Sequence, residues 1–127
     1  MESILIVDDD IALGTALSEE LAETGYTTHS VDSADAAFEF LGGTEVDLML
    51  LDLKMPEKDG FYVLYELFKQ PSHCKVIVLT AYADVKSAIE AAKIGANDFI
   101  SKPYDFDELL ITIRKVLNSD SSDENQS

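Results

Sequence analysis

The sequence predicts an α/β fold built on a parallel sheet with helices on both of its faces. Five short strand-like runs alternate with five amphipathic segments along the 127 residues, and this alternation is typical of such a sheet. Three of the runs are continuously apolar or nearly so, as expected for strands that are buried on both sides. The runs are residues 4–7, 27–31, 46–51, 75–79 and 98–100.

Polar side chains that can cap a helix stand before four of the amphipathic segments: Asp10, Ser33, Asp84 and Asp105. Glu108 follows Asp105 by three residues, and this pair predicts a capping box. Gly25 and Gly95 are expected to end the first and fourth helices. The apolar stripes predict these core faces: Leu13, Ala16, Leu17 and Leu21; Ala37, Phe38 and Leu41; Val63, Leu64, Leu67 and Phe68; Ala88, Ala91 and Ala92 with Ile89 or Ile94; and Leu109, Leu110, Ile113 and Leu117.

The length of the chain predicts a single domain over residues 1–118, because two halves would each be too small to bury a core. Residues 119–127 contain nothing apolar and are expected to form a disordered tail or the start of a linker. No apolar run is long enough to cross a bilayer, and strand-like sequence at residues 4–7 leaves no room for a signal peptide. Cys74 is the single cysteine, so no disulfide framework is expected. Together these features predict a cytoplasmic protein with no membrane association.

The net charge of −16 limits the partners of this chain. A strongly acidic surface repels nucleic acid and anionic lipid, and Arg114 is the single arginine. We therefore expect no direct binding to nucleic acid.

Candidate chemical groups stand at the carboxyl ends of four predicted strands, and these ends share one edge of a parallel sheet, where ligands bind. In chain order they are Asp8 and Asp9, Asp52, Thr80 and Ala81, and Lys102 followed by Pro103. The second strand ends in Val31 and Asp32 and offers nothing comparable.

Three converging carboxylates repel one another unless a cation holds them together. Mg²⁺ suits such a set because it prefers a few hard oxygen ligands, and Mn²⁺ is the alternative. Three carboxylates, one divalent metal and the Lys102 ammonium sum to zero charge, which suits an incoming phosphoryl group. Asp52 can then act as the nucleophile, while the Thr80 hydroxyl and the Ala81 amide donate to phosphoryl oxygens. The product would be an acyl phosphate, which is better suited to storing a signal than to building a product.

At these residues the sequence resembles bacterial two-component response-regulator receivers. The similarity covers residues 3–118, and its pattern is closest to the receivers of enhancer-binding transcription activators. It rests on four motifs in order: residues 4–9, residues 51–60, residues 79–81, and Lys102 with Pro103. Any one of these motifs is weak, but the four together at strand ends are highly specific.

The resemblance implies a flavodoxin-like (βα)5 doubly wound sheet with strand order 2-1-3-4-5. It also implies that the Lys54 backbone carbonyl is a further metal ligand and that the bond before Pro103 is cis. The phosphoryl group would come from a sensor histidine kinase, a phosphotransfer protein or a small phosphodonor. Otherwise Lys54 and Lys58 are expected to lie in a solvated turn.

The resemblance further implies a conformational switch. Thr80 would move toward the phosphoryl group and Phe99, which we expect in the core, would turn inward. The fourth helix, fifth strand and fifth helix would form the responding face, through which phosphorylation could drive homodimerisation. Whether the chain is a stand-alone receiver or part of a longer regulator stays open.

Three other classes of protein fit parts of the pattern. A phosphatase of the haloacid-dehalogenase type needs a second aspartate two residues after the nucleophile, and Lys54 stands there. A flavin mononucleotide carrier needs an amide- and hydroxyl-rich loop after the first strand, whereas Asp8, Asp9 and Asp10 would repel its phosphate. A pure interaction module would lack at least one of the site residues, and none is missing.

Overall fold

A computed structural model describes residues 2–70, 74–81 and 84–119 of the protein. The strands are β1 (Ser3–Val7), β2 (Thr27–Val31), β3 (Leu48–Asp52), β4 (Lys75–Thr80) and β5 (Asp98–Ser101). The helices are α1 (Ile11–Glu23), α2 (Ala34–Leu41), α3 (Gly60–Leu67), α4 (Val85–Ile94) and α5 (Phe106–Leu117). Of the predicted tail, residues 120–127 lie outside the described residues, and Ser119 donates a hydrogen bond to the Val116 carbonyl at 2.8 Å.

The five strands form one parallel sheet in the order β2-β1-β3-β4-β5, which confirms the predicted doubly wound fold. Strands β3 and β4 are buried along almost their whole length because helices cover both faces of the sheet. One core cluster joins the sheet to α2, α3 and α4. A second cluster joins the opposite face to α1 and α5. No helix in the described part of the chain is both long enough and apolar enough to span a membrane.

Three of the predicted helix caps are confirmed. Side-chain oxygens of Asp10, Ser33 and Asp84 accept backbone N–H groups of the first turns of α1, α2 and α4. The predicted capping box at α5 is wrong, because Asp105 makes no side-chain capping hydrogen bond. Asp105 and Glu108 are both exposed, so water can satisfy the free N–H groups of that turn.

The predicted core face of α1 is partly wrong, since Leu13 and Ala16 are exposed. The helix instead turns Gly14, Leu17 and Leu21 inward. Its contact with β2 is polar and close: the Ser18 hydroxyl donates to Thr28 Oγ1 at 2.8 Å. An apolar stripe cannot reveal a helix face that packs through small and hydroxyl-bearing residues.

Helix α4 buries very little. Ala88 and Ala91 face the core as predicted, and Ile94 is half-buried. Ala92 is exposed, which contradicts its predicted core position, and Ile89 is 53% exposed. Because its buried residues are alanines, apolar burial stabilises this helix less than it stabilises α3 or α5.

Candidate functional site

Asp8, Asp9 and Asp52 meet at the carboxyl edge of the sheet. Asp52 is the last residue of β3, and Asp8 and Asp9 directly follow β1. These two strands are neighbours, and their register pairs Val7 with Leu51. Carboxylate oxygens from the three residues therefore lie within 4.8 Å of one another.

Backbone amides fix two of these carboxylates. Asp8 Oδ1 accepts the Asp10 N–H at 2.9 Å, and Asp52 Oδ1 accepts the Lys54 N–H at 3.0 Å. Both carboxylates are buried, so each bond replaces a hydrogen bond to water. The remaining oxygen of each carboxylate is left facing the site.

Lys102 supplies the positive charge of the site. Its Nζ lies 3.2 Å from Asp8 Oδ2 and 3.5 Å from Asp52 Oδ2. The lysine follows β5. Its backbone N–H donates to the Thr80 carbonyl at 2.7 Å, which fixes the backbone of Lys102 beside β4. The Lys102–Pro103 peptide bond is cis.

The site shifts two pKa values. Burial raises the pKa of Asp52, and the Asp8 charge adds to this rise, while the Lys54 N–H and the Lys102 ammonium oppose it without cancelling it. Burial lowers the pKa of Lys102, but the Asp52 and Asp8 carboxylates outweigh that effect and leave the pKa raised. The lysine therefore stays charged, and without a cation the Asp52 carboxylate is less stable in the folded protein than in water.

We expect Asp52→Asn to stabilise the metal-free protein at neutral pH, because it removes the disfavoured charge and keeps an oxygen for the Lys54 N–H. An acid whose pKa is raised by folding makes the folded state bind more protons, so stability falls as pH rises through that pKa. The advantage of the variant should thus be absent well below the ordinary pKa of 3.8 and grow above it. Melting temperatures measured across pH in a chelator test this prediction.

Asp107→Asn, which removes an exposed carboxylate on α5, is the control and should show no such pH-dependent gain. Saturating Mg²⁺ should raise the melting temperature of the wild type above that of Asp52→Asn, since a ligand that binds the folded state stabilises it. A metal-free Asp52→Asn protein that melts below the wild type at pH 7 would contradict the account.

Thr80 ends β4 beside the carboxylates and is 3% exposed. Its Oγ1 is the buried side-chain polar atom that lacks a hydrogen-bond partner among the described residues. A buried hydroxyl without a partner is costly, so a ligand oxygen or a water is expected beside it. Ala81 follows Thr80 and is exposed at the same edge.

The residues present fit a hard divalent cation. Three carboxylates supply oxygen ligands of the kind that Mg²⁺ prefers, and the raised pKa of Asp52 marks a carboxylate that a cation would relieve. The unpaired Thr80 hydroxyl and the Lys102 ammonium are donors that would suit an anion bound next to that cation.

One sequence expectation fails near the site. Phe99 is 43% exposed rather than part of the core, because β5 is an edge strand that turns Ile100 inward and Phe99 outward. Lys58 is exposed in the turn, as expected, and it also forms an ion pair with Asp35 of α2 at 2.8 Å. Nothing in the local sequence links these two residues, which are 23 positions apart.

An open sheet of this order with an acidic, lysine-containing site at its carboxyl edge defines a receiver domain of two-component signalling. Residues 4–114 match the model of the response regulator receiver domain family, and the chain belongs to that family. This membership implies phosphoaspartate signalling. It decides against the phosphatase and the flavin carrier that the sequence left as alternatives.

The curated relatives include transcriptional regulators. The chain is 37% identical to the regulatory protein AtoC of Escherichia coli K12 over 118 residues, which cover 93% of this chain and 26% of AtoC. It is 40% identical to the transcriptional regulatory protein ZraR of the same organism over 114 residues, covering 90% of this chain and 26% of ZraR. The chain thus spans about a quarter of the length of these relatives.

Solved structures have the same fold. The receiver domain of the Francisella response regulator 1452 superposes with a TM-score of 0.86 at 28% identity, covering 94% of this chain and 98% of that one. NtrX from Brucella abortus superposes with a TM-score of 0.90 at 26% identity, covering 98% of this chain and 29% of NtrX.

Proposed function

We propose that this receiver accepts a phosphoryl group on Asp52 in a Mg²⁺-dependent reaction. The donor is the phosphohistidine of a sensor histidine kinase or a phosphotransfer protein, or a small phosphodonor. The observation that carries the proposal is the grouping of Asp8, Asp9 and Asp52 within 4.8 Å, with Lys102 Nζ 3.5 Å from Asp52 Oδ2.

The site residues would bind the metal and supply the nucleophile. Asp8, Asp9, Asp52 and the Lys54 carbonyl would hold Mg²⁺, which neutralises charge around the phosphoryl group when it is bound. An Asp52 carboxylate oxygen bonds to phosphorus as the bond from phosphorus to the donor breaks, and the electron pair of that bond leaves with the donor. The product is an acyl phosphate.

Donors at the same edge would receive the phosphoryl oxygens. The Lys102 ammonium, the Thr80 hydroxyl and the Ala81 N–H are the groups we assign to this role. The buried and unpaired Thr80 Oγ1 favours this assignment, since a phosphoryl oxygen would satisfy it.

The output of the domain would be a change on the face formed by α4, β5 and α5. In this proposal Thr80 moves toward the phosphoryl group and Phe99 rotates inward. The small buried apolar area of α4 and the exposure of several apolar side chains support this choice of face: Val85, Ile89, Phe99 and Ile111. The switched face would control a partner or an output domain, or would pair with a second copy of the chain, and the acidic receiver itself would not bind nucleic acid.

Incubation with acetyl phosphate tests the proposal. We expect intact mass to show the gain of one phosphoryl group in the presence of Mg²⁺ and none in a chelator, because the carboxylates repel the donor without the cation. Asp52→Asn should abolish the gain, since an amide cannot attack phosphorus.

Asp47→Asn is the control, because Asp47 directly precedes β3 and lies at the amino ends of the strands, away from the site. This variant should be labelled like the wild type. Labelling of the Asp52→Asn protein, or labelling that is independent of the metal, would contradict the assignment. A wild type that takes up no phosphoryl group from acetyl phosphate would exclude small phosphodonors and leave a protein phosphohistidine as the donor.

A further inference from the structure

The loop between β3 and α3 connects the proposed phosphoacceptor to the rest of the fold. Leu53 and Met55 anchor its beginning in the core. The Asp59 carboxylate anchors its end by capping α3 through the Tyr62 N–H at 3.1 Å. The three residues between these anchors, 56–58, are exposed.

This exposed stretch is not relaxed. Glu57 has a φ of 64°, which lies in the left-handed region that a residue with a side chain rarely adopts. Such a conformation persists only where surrounding contacts hold it. A loop of exposed residues therefore needs a contact that fixes its path.

Lys58 makes that contact with two helices. Its Nζ lies 2.8 Å from Asp35 Oδ1 in the first turn of α2, and 5.3 Å from the centre of the Tyr62 ring in the first turn of α3. A carboxylate is favoured at a helix N-terminus, and an ammonium is attracted to the face of an aromatic ring. The Tyr62 ring also packs edge-on against Phe38 of α2, with ring centres 6.3 Å apart. One ammonium thus joins the loop to the place where α2 and α3 meet.

We infer that Lys58 and Asp35 are positioning residues for the metal-binding side of the site. Their ion pair holds the loop so that the Lys54 N–H stays on Asp52 Oδ1 and the Lys54 carbonyl stays available to the cation. The inference rests on the proposed function, because it assigns a task to residues that touch neither the cation nor the phosphoryl group.

Two substitutions that each replace a charged residue with an uncharged one separate this role from a general charge effect. Lys58→Met makes the protein more negative and, through charge alone, would tighten binding of a cation. Asp35→Asn makes it less negative and would weaken binding. If the pair positions the loop, both variants weaken binding, by about threefold each, which is the effect expected of one exposed ion pair.

Two measurements read the effect without phosphorylation. The Mn²⁺ affinity is measured by electron paramagnetic resonance of the free ion. Hydrogen exchange of the Lys54 amide, followed by NMR in metal-free protein, reports directly on its bond to Asp52. Both variants should speed that exchange by about threefold.

The chain offers a matched control pair at the end of α3, with Glu66 in the helix and Lys69 just after it. Lys69 Nζ lies 2.7 Å from Glu66 Oε2, away from the loop. Lys69→Met and Glu66→Gln make the same changes of charge and should shift Mn²⁺ affinity in opposite directions while leaving Lys54 exchange unchanged. The charge-swapped double variant Lys58→Asp with Asp35→Lys should restore both readouts toward wild type.

Tighter Mn²⁺ binding by Lys58→Met, or unchanged Lys54 exchange in both variants, would overturn the inference. A wild type that binds no Mn²⁺ would instead overturn the proposed metal site, and the exchange measurement would still decide whether Lys58 positions the loop.

Discussion

Replacing Gly60 by alanine is expected to lower the free energy of unfolding by about 2–3 kcal/mol, because it overpacks a place where backbone meets backbone. A Cβ at Gly60 would lie 2.6 Å from both the Asp52 carbonyl oxygen and the Leu53 Cα. Neither atom belongs to a flexible side chain, so the start of α3 or the end of β3 must move. The midpoint of urea unfolding measures this loss.

The same displacement should reduce phosphorylation, because the added Cβ would clash with the carbonyl oxygen of Asp52, the proposed phosphoacceptor. Gly43→Ala is the matched control, since a Cβ there meets nothing within 4 Å. Its free energy of unfolding should stay within about 0.5 kcal/mol of the wild-type value. Equal midpoints for the two variants would contradict the prediction and show that the backbone at the end of β3 can move at little cost.

The sequence was sufficient to predict how the site is assembled. Strands β1 and β3 each carry a buried apolar run followed at once by a polar residue, at Val7-Asp8 and Leu51-Asp52, and parallel strands bring such ends to one edge. The prediction therefore needed only the strand ends and their order. Resemblance to a known family supplied the order.

Other features could not be predicted because they depend on neighbours that are distant in sequence. The rotation of α1 depends on the hydroxyls of Ser18 and Thr28, which an apolar stripe does not reveal. Phe99 is as apolar as any core residue, and only the edge position of β5 exposes it. The Lys58–Asp35 ion pair requires the packing of α2 against α3, which no local pattern encodes.

Lys102→Ala should slow phosphorylation of Asp52 by about 100-fold, because loss of one charged donor to the transition state has an effect of that size. The substitution also removes the positive charge nearest to Asp8 and Asp52, at 3.2 and 3.5 Å. Cation affinity should therefore rise rather than fall. Opposite changes in the two quantities separate a donor to the phosphoryl group from a residue that merely keeps the site folded.

The lysine is also expected to transmit the switch, since it follows β5, the strand that carries Phe99, and its N–H donates to the Thr80 carbonyl at 2.7 Å. With beryllofluoride bound, the Phe99 amide resonance of Lys102→Ala should stay near its unbound position. Lys69→Ala is the matched control, because Lys69 pairs with Glu66 at 2.7 Å and carries the same charge away from both the site and the responding face. Wild-type resonance shifts in Lys102→Ala would leave the lysine as a charge donor alone, and coupling to Phe99 would then have to run through Thr80.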